Sequence, residues 1–144
     1  MKKITITVLL FFLPLLVFAD THYVSPYGSD TYPYTSWETA MDSIQKGIDA
    51  ASYGDTVKVG AGTYKELIYM IPGIALIGAD MDSCMIDGRR YDPQNYTMIS
   101  GKDSSTIEGF HLRGACFHDT VGSFVLRNGK SSYIDRITGK HPDS

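Results

Sequence analysis

Cysteine is nearly absent from this chain: Cys84 and Cys116 are the only two in 144 residues. Two thiols cannot frame a disulfide-rich scaffold, and neither belongs to a Cys/His pattern with zinc spacing, so both of those classes are excluded. They stand either as one disulfide or as two small buried thiols. Basic residues are also scarce. Thirteen Lys and Arg against 16 Asp and Glu leave a formal charge of −3. That balance argues against nucleic acid or an anionic lipid surface as a partner. Beyond residue 19 no apolar run approaches the roughly 20 residues a spanning helix needs, so no membrane span is expected in the mature chain. A phosphate loop is missing as well. Gly60, Gly62, Gly78 and Gly88 are followed by no Lys-Ser/Thr and sit in no βαβ unit, and they read as turn glycines.

The one long apolar run is at the start, in "MKKITITVLLFFLPLLVFAD". Lys2 and Lys3 make a basic lead, Ile4 to Phe18 is almost wholly apolar, and Val17 and Ala19 occupy the −3 and −1 positions of a small-residue cleavage site. Residues 1–19 therefore read as a secretory signal peptide, cut before Asp20. The expected location is secreted: extracellular, at the cell surface, or in a periplasm. Removing the leader leaves 125 residues with 11 basic and 16 acidic side chains, a charge of −5. That is enough chain for one small domain.

Residues 20–55 read as an N-terminal strand, a loop and a capping helix. The strand is expected at His22–Ser25, and the loop after it is rich in Tyr, Ser, Pro and Gly. Ser36 is placed to cap a helix over about 36–52, because Trp37, Ala40, Met41, Ile44, Ile48 and Ala51 recur at steps of three and four. Glu38 falls in its first turn, and Gly54 is a candidate C-terminal cap.

Residues 56–144 change to short strand candidates at 56–59, 74–77, 84–87, 97–100, 106–112, 123–127 and 133–137. Nearly all end near Gly, Asp or Asn. The pieces resemble one another. "MIDG" at 85–88 returns as "TIEG" at 106–109 and more loosely as "YIDR" at 133–136, at intervals of 21 and 27 residues. Such imprecise periods suit a solenoid, whose turns cannot bury an apolar face alone and so stack on a shared core. An amphipathic helix ahead of the first turn would cover the open end, with Trp37, Ile44 and Ile48 facing inward.

The stretches "YVSPYGSD", "SIQKGIDAA", "GDTVKV" and "GAGTYKE" resemble the N-terminal cap and first turn of secreted bacterial right-handed parallel β-helix proteins of the pectate-lyase superfamily. "STIEGFHLRG" and "SYIDRITG" resemble later coils, so the resemblance covers most of residues 22–139. It implies an all-β solenoid with an N-terminal capping helix. Such solenoids usually run to more coils and end in a cap, whereas only about three to four turns fit after Gly54. The resemblance thus implies the N-terminal part of a longer protein, or a prematurely ended copy. It is weak for activity, because the superfamily holds lyases, esterases, glycoside hydrolases and non-catalytic surface proteins.

The repeat suggests one site. If Ile86, Ile107 and Ile134 point inward, then Asp87, Glu108 and Asp135 point outward as a carboxylate ladder spaced by about 4.8 Å. Carboxylates that close raise a pKa or recruit a cation such as Ca²⁺, with Asp87 and Glu108 as its ligands. Arg89, His111, Arg113 and Arg136 would supply positive charge nearby. The plainer reading is that strands simply put polar residues outside. Asp80, Asp82 and Asp87 form another cluster whose spacing fails the EF-hand pattern, and they read as a solvated turn. His111 and His118 would fall on opposite faces of one strand. Ser104 and Ser105 lie near no obvious Ser–His–Asp arrangement. The tyrosines at 23, 27, 32 and 34 either stack on sugar rings or pack around the cap.

Two functions of different class follow. One is a non-catalytic secreted or cell-surface scaffold that interacts with polysaccharide or cell-surface glycan. The other is the N-terminal part of a polysaccharide-active enzyme, pectate lyase-like, pectin esterase-like or a glycoside hydrolase, acting on acidic polysaccharide. The first fits more of the residues, because no catalytic residue carries over position by position.

Overall fold

The computed structural model describes residues 18–91, 97–114, 117–119, 125–127 and 130–132. Among them the chain forms β1 (Thr21–Val24), α1 (Ile44–Ala50), β2 (Thr56–Val59), β3 (Gly62–Tyr64), β4 (Ile68–Tyr69), β5 (Ala75–Gly78) and β6 (Cys84–Asp87). There follow β7 (Ile99–Gly101), β8 (Thr106–Glu108), β9 (His111–Arg113), β10 (Phe117–Asp119), β11 (Val125–Arg127) and β12 (Lys130–Ser132).

Among the described residues all the strand pairings are parallel, and they make three sheets. The first runs β1-β2-β5-β8-β11, the second β3-β6-β9-β12 and the third β4-β7-β10. From β2 onward the chain visits the sheets in the same cyclic order, so each circuit adds one strand to each. Register stacks like upon like. Val57, Leu76 and Ile107 are partners in the first sheet, Tyr64, Ile86 and Leu112 in the second, and Ile68 and Ile99 in the third. All eight are buried and belong to one apolar core. Alternation along each strand sends their neighbours, such as Lys58 and Tyr69, to the solvent.

Glycine permits the tight corner between the first and second sheets. The expected single strand 106–112 breaks there into β8 and β9, because Gly109 has φ +76, a left-handed conformation that L side chains rarely adopt. A Cβ on Gly109 would lie 2.6 Å from the Gly78 carbonyl oxygen of the preceding circuit. The two corners are stacked backbone on backbone.

The helix is shorter than its apolar spacing predicts. It begins at Ile44, with Ser43 as N-cap accepting from the Lys46 N–H. Ser36 instead closes a separate turn with Thr39, each hydroxyl bonded to the other residue. Met41 is then held extended by a bridge to Val24. Ile44 and Ile48 face the core as expected, with Gly47 buried between them, but Trp37 does not: it is 46% exposed and packs edge-on against Tyr23 at 4.7 Å. The helix ends at Ala50, with Ala51 as an extended C-cap, and Gly54, at φ +96, turns the chain into β2. No helix among the described residues is long and apolar enough to cross a membrane.

Candidate ligand-binding cleft

Asp87 and Glu108 do not stack on one another as the ladder requires. Asp87 is the last residue of β6 in the second sheet, where its register partner is Arg113. Glu108 ends β8 in the first sheet, between Ile77 and Arg127. The two similar tetrapeptides end strands of different sheets, so the repeat read from them was displaced by one sheet. Asp135 lies outside the described residues, as do Ile134, Arg136 and Cys116.

Asp87 is also already occupied. It is 4% exposed, and its oxygens accept from Arg89 Nη2 at 2.7 Å, Arg89 Nε at 3.0 Å and the Arg89 backbone N–H at 3.1 Å. The guanidinium holds its carboxyl down to about 2. A cation there would have to displace a bidentate arginine. Among the described residues no group of three His, Cys, Asp or Glu converges as a metal site. Asp80 serves the turn at 80–83, accepting the N–H of Asp82 on its side chain and those of Ser83 and Cys84 on its carbonyl. His111 and His118 lie on β9 and β10, in different sheets. Ser105 is buried and bonds its own turn through Lys102. Cys84 is a free, buried thiol pushed up to about 11 by that burial, which makes it unreactive.

A different set of side chains does converge. The loop after β1 folds back against α1 and leaves a shallow cleft of about 350 Å³, lined by Asp30, Tyr34, Met41, Lys46, Asp49 and Ala50. Its position follows from local bonds. Tyr23 donates its N–H to the Tyr34 carbonyl, and the Asp30 N–H reaches the Ala40 carbonyl, so the loop is pinned at both sides. Gly28 lets it approach, since a Cβ there would fall on the Ala40 carbonyl oxygen. Asp30 and Tyr34 both take positive φ, at 51° and 63°.

The helix supplies the other wall. Lys46 reaches Asp30 at 2.6 Å and Asp42, one turn earlier, at 2.7 Å. The bonds to Asp30 and Asp42 hold its ammonium well above the ordinary lysine value. Asp49 accepts from Gln45 Nε2 at 2.9 Å. The half-buried Tyr34 ring, edge-on to the exposed Tyr32 at 5.9 Å, gives an aromatic wall above the buried Met41. Three aspartates against one lysine leave the cleft and its rim negative.

Such a set can stack on the apolar face of a sugar ring and exchange hydrogen bonds with hydroxyls. Residue-level reading singled out Tyr32 and Tyr34 but not Asp30, Lys46 or Asp49. A signal was present: Lys46 and Asp49, three apart, are neighbours on one face of α1, and Asp42, four residues before Lys46, lies just ahead of the Ser43 cap. The cleft is open, with polar and aromatic walls. No protein-family model, curated protein or solved structure matches the chain.

Proposed function

We propose that this protein is a secreted or cell-surface right-handed parallel β-helix that binds neutral glycan and performs no catalysis through this part of its chain. The solenoid reading rests on the cyclic visiting of three parallel sheets with in-register apolar stacks. Right-handedness follows from the near-universal hand of parallel crossover connections, of which β2 to β5 and β5 to β8 are examples. The export reading rests on the composition of residues 1–19. The likeness to the pectate-lyase superfamily stays a proposal of fold, carried by the cap and first-turn residues.

The observation that carries the binding reading is the cleft itself: Tyr34 beside Asp30, Asp49 and Lys46, at the end of the stack that α1 covers. Its negative charge favours uncharged sugars over polyuronates, which like charge would repel. The enzymatic reading on acidic polysaccharide is therefore the weaker one.

Titration of the isotope-labelled protein with neutral gluco- and manno-oligosaccharides, alongside oligogalacturonate, tests this by NMR. Saturable shifts at Tyr34 and Asp49 with a neutral sugar, lost in Asp49→Asn and Tyr34→Ala, are expected. Preference for oligogalacturonate, or its cleavage, would replace the scaffold reading with the enzymatic one. No shift with any sugar would remove the cleft as a glycan site.

A further inference from the structure

Asp55 is a buried carboxylate that the cleft does not use. It precedes β2, is 6% exposed, and accepts three donors. The Asp20 backbone N–H reaches Oδ1 at 2.8 Å, the Ser52 N–H reaches Oδ2 at 2.7 Å, and His22 Nε2 lies 3.4 Å from Oδ2. Burial pushes the Asp55 carboxyl up, but the Asp20 and Ser52 N–H groups and the His22 ring outweigh it and hold it below its ordinary value. Asp20 is fixed there by the sheet. β1 pairs with β2 in register Thr21 to Thr56, and Thr56 donates its N–H to the Asp20 carbonyl at 2.9 Å. The parallel ladder thus sets the Asp20 nitrogen beside the Asp55 side chain.

That nitrogen is also the atom that leader removal would free. Hydrolysis of the Ala19–Asp20 amide by a signal peptidase adds one water across the C–N bond. The oxygen goes to the Ala19 carboxylate, and the Asp20 nitrogen leaves as an amine that is protonated at neutral pH. We propose that Asp55 is the receptor for the α-ammonium of the processed chain, so that cleavage converts a neutral amide hydrogen bond into an ion pair between an exposed N-terminus and a buried carboxylate, anchoring β1. The inference goes beyond glycan binding and rests only on the reading of residues 1–19 as a leader.

Two further titratable groups face the pair, the His22 ring and the side chain of Asp20 itself. His22 Nδ1 is buried with no hydrogen-bond partner, so the ring is held by Asp55 alone. A full charge on the Asp20 nitrogen gives Asp55 a stronger partner than His22 at 3.4 Å. The precursor, with an uncharged amide there, lacks it.

The test begins with the exported protein, whose N-terminus is read by mass spectrometry. The α-amine is then titrated through the pH dependence of its acylation. An ordinary α-amine titrates at about 7.7–8.0. Contact with a buried carboxylate should raise that by at least about one unit, so acylation at pH 7 falls about tenfold relative to Asp55→Asn. A second form, cut so that Ala19 is the first residue, keeps Asp55 and moves the amine away, and its amine should titrate normally even if Asp55→Asn fails to fold. An Asp20 N-terminus whose amine titrates at the ordinary value overturns the ion pair and leaves the leader reading intact. An N-terminus elsewhere overturns both, and the sequencing identifies the leader reading as the one that failed.

Discussion

Truncating Glu66 to alanine should loosen the cap from its base. Glu66 lies between β3 and β4, yet its two carboxylate oxygens accept the first N–H groups of α1, from Ile44 and Gln45, each at 2.9 Å. Ser43 caps the next donor, Lys46, through its hydroxyl at 3.3 Å. A helix of seven residues has no spare turn to lose, so these orphan donors decide whether it holds. A hydrogen bond to a charged group contributes roughly 1.5–3 kcal/mol, and an ordinary N-cap about 1 kcal/mol. Burial of the carboxylate offsets part of that, because burial, followed by the opposing pull of the two N–H groups and the repulsion of Asp42, leaves Glu66 above its ordinary value. The net loss expected for Glu66→Ala is about 1–3 kcal/mol, or roughly 4 °C in Tm for each kcal/mol.

The sign of the pH dependence follows from the raised value. A carboxyl titrating higher in the folded chain contributes stability fully below its unfolded value and loses it as pH rises through the folded one. The advantage of the wild type over Glu66→Ala should therefore be largest below about pH 4.5 and shrink above it. Urea denaturation followed by circular dichroism, run at several pH values on both proteins, measures this. A difference within about 0.5 kcal/mol at every pH would refute the capping role. An advantage that grows with pH would mean that the two N–H bonds outweigh burial, and the charge argument would be wrong.

Two other perturbations probe the stack and its surface. Gly78→Ala places a Cβ on the Gly109 carbonyl oxygen and 3.2 Å from the Phe110 ring, so it should cost about 2 kcal/mol, whereas Gly60→Ala, whose nearest neighbour is Trp37 at 3.3 Å, should cost less than about 1 kcal/mol in the same assay. Asp87→Asn removes a carboxyl held down by Arg89, whose contribution is present above the ordinary aspartate value and lost as pH falls toward about 2. The variant should therefore lose stability at neutral pH and converge on the wild type in acid, as followed by thermal melts between pH 2 and 7.

What the sequence makes legible is the inward half of each strand. Val57 and Val59 alternate with Thr56 and Lys58, and Cys84 and Ile86 recur at the same step of two around Met85, so β2 and β6 are found with their bounds intact, and the parallel sheets follow from the short, repeated pieces. The two- and three-residue strands β3 and β4 are too short to show a period at all. Gly109 misleads because a glycine inside an apolar run reads equally as strand or corner, and only the neighbouring circuit's Gly78 decides for a corner. The same ambiguity displaced the carboxylate ladder, since "MIDG" and "TIEG" share a pattern but end strands of different sheets. In the cap, Trp37 and Ala40 keep helical spacing with Ile44, and the bridge from Val24 to Met41 overrides it. Tertiary pairing outweighs local propensity there.

The acidic residues separate by what they hold. Asp55, Glu66 and Asp87 each accept backbone N–H groups, and removing any of them would strand donors in or near the core. A ligand cannot displace those bonds without loosening the fold. Asp30 and Asp49 are bonded instead to Lys46 and Gln45, side chains at the surface of one helix. Exposed pairs of that kind contribute little, and water or a sugar hydroxyl replaces either partner at little loss. Asp30 and Asp49, carboxylates able to change partners, thus lie together at the cap, beside the aromatic wall of the cleft. A ligand site is better sought there than at Asp55, Asp80 or Asp87, whose carboxylates are fixed by the turns they close.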